Sequence, residues 1–170
     1  DPSDNIISTS FNVTDDVLSL ARTDESTGKL VVNSYPRNAE SYYQTCIHLR
    51  DDFPYDNPGI NGVHLALEKA DSSVGGSYIQ VQVWEWNDAF DSIGDAWANV
   101  TFDDMELIKN QDYICPDNSL NGEMVYVPFR ADNEGLFPVE IDNNQRYLVC
   151  LVTEDTDIGF GYDNGISYSS

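Results

Sequence analysis

The sequence is short of basic side chains: Lys and Arg together number 8 against 30 Asp and Glu, a formal charge of −22. So acidic a surface repels polyanions, which excludes nucleic acid and anionic membrane as partners and leaves carboxylate clusters on offer to divalent cations. Salt-rich or calcium-rich surroundings suit it. No run of about 18 apolar residues occurs, so the sequence predicts no membrane-spanning helix. The opening residues, "DPSDNIISTS", have no initiating Met, no basic n-region and no apolar h-region, and imply a processed chain or an excised fragment.

Histidine is limited to His48 and His64, both in strand-like runs and neither beside a Gly-framed Ser or Cys elbow. Nucleophilic catalysis therefore has little to work with. Cys46 and His48 fall on the same side of their run, but a lone pair at that spacing is ordinarily packing. Three cysteines, at positions 46, 115 and 150, allow one disulfide at most and match no zinc motif. Nor is there a phosphate loop: "DSSVGG" has the glycines without the Lys or a following helix.

What is present is apolar material in strand rhythm. With 41% hydrophobic and 12% aromatic residues the chain has enough to fold, and 170 residues fit one domain, with residues 1–25 as a peripheral N-terminal segment. In "SYIQVQVWEW", Ile79, Val81 and Val83 point one way while Tyr78, Gln80, Gln82, Trp84 and Trp86 point the other. "GVHLALEK" alternates likewise with Val63, Leu65 and Leu67 inward, and the "DSSVGG" between these runs predicts a hairpin joining them. Further strands are expected at residues 11–14, 30–35, 43–49, 105–108, 123–129, 146–153 and 159–168. "RYLVCLVT", apolar on both faces, belongs in mid-sheet. A short helix is expected at residues 16–22, and long loops at 51–61, 87–99, 110–122 and 131–135. The expected fold is all-β: a two-sheet antiparallel β-sandwich of jelly-roll or Greek-key type, with function in its loops.

Three chemistries present themselves. Trp84 and Trp86, with Trp97 and Tyr78, form a candidate sugar-binding set, because flat aromatic rings stack on the apolar C–H faces of sugars. Structural packing of the same indoles is the competing explanation. Asp88, Asp91 and Asp95 in "NDAFDSIGDAW", and Asp155, Asp157 and Asp163 in "EDTDIGFGYDNG", are candidate calcium ligands in irregular loops; "DDFPYDNPG" adds a third acidic cluster. None is an EF-hand, since Phe160 stands where that loop needs glycine. Finally, "VEIDNNQ" places Glu140 and Asp142 near the E-I-D-x-x-E signature of laminarinase-like jelly-roll glycosidases. Gln145 replaces the second essential carboxylate, so a glycosidase ranks third. The sequons at Asn12 and Asn99 and the Asp91-Ser92-Ile93 triplet match short glycosylation patterns that recur by chance.

The run "NPGINGVHLALEKADSSVGGSYIQVQVWEWND", followed by "NNQRYLVCLVTEDTDIGFGYDNG", is similar to β-sandwich modules of exported cell-surface proteins of marine Bacteroidota. The shared order is an I-x-G-V strand, a loop, an I-x-V-x-V-W strand, a late Y-x-V-x-L strand and a Gly-Tyr-rich ending, spanning residues 43–168. The resemblance implies a surface location, export by a type IX-like route, and a structural or binding role without catalysis; it transfers no catalytic residue. Strand pattern, acidity and the missing catalytic constellation lead to the same expectation. The chain is expected to be an extracellular noncatalytic module, structural or adhesive, whose partners are other surface subunits or glycans. A calcium-assisted carbohydrate-binding module is the alternative.

Overall fold

The computed structural model describes residues 21–24, 26–27, 29–32, 43–49, 58–70, 73–86, 105–130, 138–142 and 145–163. They fall into two compact units, one holding residues 21–32 and 162–163 and the other residues 43–161. All regular structure among them is β.

In the smaller unit, β1 (Thr23–Asp24) pairs antiparallel with β2 (Lys29–Leu30). The turn is shaped by Asp24, whose Oδ1 accepts hydrogen bonds from Ser26 N (2.8 Å), Ser26 Oγ (2.6 Å) and Thr27 N (3.2 Å). A carboxylate that bonds its own backbone two residues on is a natural turn former. Of the strand expected at 30–35, Leu30 lies in β2, Val31 and Val32 follow it outside the strand, with Val31 N bonded to Arg22 O at 2.7 Å, and residues 33–35 lie outside the described residues. Of the helix expected at 16–22, Ala21 and Arg22 are not helical and the rest lies outside the described residues, as does the strand expected at 11–14.

The larger unit holds β3 (Tyr43–Leu49), β4 (Gly59–Ile60), β5 (Gly62–Lys69), β6 (Tyr78–Trp86), β7 (Glu106–Ile114), β8 (Met124–Pro128), β9 (Val139–Glu140), β10 (Arg146–Thr153) and β11 (Ile158–Phe160). Four of these form an antiparallel sheet in the order β3-β10-β6-β7, three form β11-β5-β8, and β4 pairs with β9. β10 is one of the two interior strands of the four-stranded sheet, beside β6, as its two apolar faces require. Tyr147, Val149 and Leu151 join one buried cluster, while Leu148, Cys150 and Val152 join another.

The main cluster draws Ile79, Val81 and Val83 from β6, Leu65 and Leu67 from β5, Val125 and Val127 from β8, and Ile158 and Phe160 from β11. Most of these are wholly enclosed, and burying each side chain contributes about 1.5–3 kcal/mol before the entropy of ordering it is counted. The sheets of four and three strands therefore share one apolar cluster.

The hairpin expected between β5 and β6 does not form, for the two strands lie in different sheets. A turn is present, closed by Ser77 N donating to Val74 O at 3.1 Å, with Gly76 at φ 74° in the left-handed conformation that glycine adopts freely. It leads the chain to β7 instead of back to β5. Gly76 N donates to Cys115 O, Cys115 N donates to Ser77 O (2.9 Å each), and Gly75 lies so close to Asp117 that a Cβ there would strike its backbone carbonyl.

A second difference concerns residues 110–114, expected as loop and found as the far half of β7. Polar composition hid the strand. Its period-two pattern is nonetheless clear once β6 is beside it, with Tyr113 against the core and Asn110, Asp112 and Ile114 exposed. β7 is also tied to the chain just beyond β8: Lys109 Nζ donates to Arg130 O at 2.5 Å, and Gln111 Oε1 accepts from Arg130 N at 3.0 Å. Of the run expected at 159–168, β11 takes residues 159 and 160 after beginning one residue earlier at Ile158, and residues 164–168 lie outside the described residues.

Candidate functional site

The face of the four-stranded sheet turned away from the main cluster has two different halves. On the β10 side, Leu148, Cys150 and Val152 are buried together with Trp86, and half-buried Trp84 and Met105 pack against them. On the β7 side the face is open. The register pairs Tyr78 with Ile114, Gln80 with Asp112, Gln82 with Asn110 and, past a bulge at Val83/Trp84, Trp84 with Leu107. Directly opposed residues share a face, so these four pairs form one strip. It has apolar or aromatic ends and a polar middle. Tyr78 (43% exposed), Ile114 (66%) and Leu107 (43%) are three of the large apolar side chains that the described residues leave open to solvent.

Hydrogen bonds hold the strip in place. Tyr78 Oη donates to Asp112 Oδ1 at 2.7 Å, and Gln80 Nε2 donates to both Tyr78 Oη and Asp112 Oδ1 at 2.8 Å. The Tyr78 and Gln80 bonds hold the Asp112 carboxyl below the usual carboxylate range. In return, the bond to Asp112 and then partial burial push the Tyr78 phenol above its ordinary value. Asp112 is therefore a carboxylate and Tyr78 a neutral phenol over the whole middle pH range. At the other end Trp84 Nε1 donates to Gln82 Oε1 at 3.1 Å. Six residues of strand separate Tyr78 from Trp84, roughly 20 Å.

No family model matches the chain, and no curated protein does. The strip must be interpreted from its own chemistry.

The residues singled out in the sequence are placed unequally. Trp86 is 1% exposed, and the Arg146 guanidinium lies over its ring at 4.3 Å from the centroid, so its face is already taken. A sugar platform built on the Trp84–Trp86 pair is thereby reduced to half-buried Trp84, with Tyr78 as the open aromatic. Trp97, Asp88, Asp91 and Asp95 lie outside the described residues.

Asp155 accepts from Lys69 Nζ at 2.7 Å, and its Oδ1 accepts from Asp157 N at 3.0 Å. Burial opposes its ionisation, but the Lys69 and Asp157 bonds outweigh this and keep the carboxyl below the ordinary value. Asp163 is wholly buried and held by Arg22, Nε to Oδ2 at 2.7 Å and Nη2 to Oδ1 at 2.9 Å, a fork-to-fork ion pair. Two of the three carboxylates named in this stretch thus already have protein cations as partners. Among the described residues no three His, Cys, Asp or Glu side chains gather as metal ligands.

Glu140 and Asp142 are both exposed. A shallow recess of about 240 Å³ lies elsewhere, lined in part by Tyr113, Asn118, Ser119, Glu123 and Tyr126, and among the described residues Glu123 is the carboxylate on its wall. Cys46 has no thiol to offer His48, being joined to Cys150 across β3 and β10, whereas Cys115 is free and buried.

Sequence reasoning had Gln80 and Gln82 on the face of Trp84 but missed Asp112, Asn110, Ile114 and Leu107 as their partners. The signal was the alternation through "NQDYI", which low hydrophobicity concealed.

Proposed function

We infer that the chain is a noncatalytic two-sheet β-sandwich module, of jelly-roll or Greek-key type, that works outside the cell as a structural or adhesive unit. The observation that carries this reading is the Cys46–Cys150 disulfide joining adjacent strands. Such bonds form and persist in oxidising compartments and are rare in reducing ones. The sandwich is supported by the single apolar cluster fed by sheets of four and three strands.

A binding or building role is supported by what the described acids do. Glu140 and Asp142 are solvated, and Asp155 and Asp163 are engaged by Lys69 and Arg22. The test has two arms. Protein made in an oxidising compartment and denatured without reductant should expose one thiol, Cys115, and three after reduction. The same protein incubated with plant and marine polysaccharides should release no reducing ends. Three thiols before reduction would overturn the extracellular reading, and turnover abolished by one carboxylate substitution would overturn the noncatalytic one.

A further inference from the structure

The geometry points to a binding site for an extended neutral saccharide along the β6–β7 strip, with Tyr78 as the stacking ring and Gln80, Gln82, Asn110 and Asp112 as the hydroxyl-reading groups. This assignment rests on the extracellular, noncatalytic reading above and deepens it by naming the ligand class.

Three features of the strip select the ligand. The first is the order of its side chains. Exposed Tyr78 and half-buried Trp84 stand at either end, where the apolar faces of sugar rings can lie on them, and three amides and a carboxylate fill the middle. One face thus alternates stacking and hydrogen bonding, as a polyhydroxylated ring chain does.

The second feature is preorganisation. Tyr78 is tied through its hydroxyl to Asp112 and Gln80, so its ring is fixed before any ligand arrives, and fixed groups lose less entropy on binding. The bonds from Tyr78 and Gln80 both fall on Asp112 Oδ1, and the residue as a whole is exposed, so the carboxylate is within reach of a ligand O–H.

The third is charge. Asp112 is ionised, and Glu154 is near enough to Tyr78 to act on it electrostatically. No lysine or arginine is in register with Tyr78, Gln80, Gln82 or Trp84, the partners on β10 being Val152, Cys150 and Leu148. Uronate-rich or sulfated chains are repelled by such a strip. An apolar protein surface would strand the carboxylate, taking its charge out of water without a partner. A neutral saccharide supplies O–H donors to it.

The experiment measures binding of the full, oxidised chain to hexasaccharides of neutral glucan, mannan, xylan and galactan. Alginate hexasaccharide and a lysine-rich decapeptide are run beside them, and reducing ends are assayed in the same samples. At least one neutral saccharide should bind, and Tyr78→Ala should weaken it roughly threefold to tenfold. Gln80→Ala should weaken it too, with the melting temperature unchanged. Should Tyr78→Ala fail to fold, Tyr78→Phe carries the test, since it keeps the ring and removes its tie to Asp112.

The assignment is overturned if no neutral saccharide binds, if the variants bind as the parent does, or if only alginate or the basic peptide is retained. Release of reducing ends would instead count against the noncatalytic reading. Absence of both binding and turnover would remove the saccharide site and leave that reading standing.

Discussion

Replacing Cys46 and Cys150 together by alanine removes the covalent tie between β3 and β10 and should destabilise the larger unit strongly. The bond closes a loop with a sequence separation of 104. Chain-entropy arithmetic puts the constraint that such a loop imposes on the unfolded state at about 4.7 kcal/mol. Loss of the buried Cys150 sulfur from its cluster with Trp86, Leu148 and Val152 adds to this, while residual structure in the unfolded chain subtracts from it. A loss of about 3–5 kcal/mol is expected. With a urea slope of about 2 kcal/mol per molar, the unfolding midpoint should fall by roughly 1.5–2.5 M. The assay is urea unfolding of parent and variant, followed by tryptophan fluorescence, with the parent repeated in reductant. Reduced parent and double variant should unfold at similar midpoints. A midpoint shift below about 0.5 M would refute the claim that this loop closure matters to stability.

Three further outcomes are expected. Trp86→Ala, which empties a fully buried site under the Arg146 guanidinium, should cost about 3–5 kcal/mol by chemical denaturation, whereas Tyr78→Ala on the open strip should cost within about 1 kcal/mol. Equal costs would undo the division of this face into buried and open halves. The Tyr78 phenol, raised by its bond to Asp112, should titrate above the ordinary value of about 10, and Asp112→Asn should return it towards that value, as seen in carbon-13 spectra of labelled tyrosine. The sign follows for stability: the tie is complete below the ordinary phenol value and is lost as pH rises through the raised one. At the acid end it is complete above about 3.9 and lost as pH falls through the lowered value of Asp112. Gly75→Ala should destabilise by about 1–3 kcal/mol in thermal unfolding, because the new methyl meets the Asp117 backbone and not a yielding side chain; a neutral result would mean the turn can shift.

Much of the sheet content was legible because apolar residues alternate strictly where one face is buried. Ile79, Val81 and Val83 announced β6, and "RYLVCLVT" announced a strand covered on both sides. Strand partners were not legible. The glycines of "DSSVGG" do make a turn, but a turn fixes only local direction, and contacts with Cys115 and Asp117, some 40 residues away, decide that β6 joins β7 and leaves β5 to the other sheet. β7 itself was half missed, since "KNQDY" has the composition of a loop and acquires its strand form from the ladder with β6. For the site, period two placed Gln80 and Gln82 beside Trp84, while the burial of Trp86 depends on Leu148 and Val152, more than 60 residues further on. The acidic stretch around Asp155 and Asp163 suggested a cation. It found cations in the chain's own Lys69 and Arg22.

The Cys46–Cys150 bond also decides how the chain would behave under load. Tension applied from before Cys46 to after Cys150 passes through the bond and bypasses the residues between the two cysteines. Everything between is a closed ring that force cannot open. At about 3.4 Å per stretched residue, a sequence separation of 104 withholds roughly 350 Å of length. In a tethered module that length would stay locked under load until a thiol reductant opened the bond.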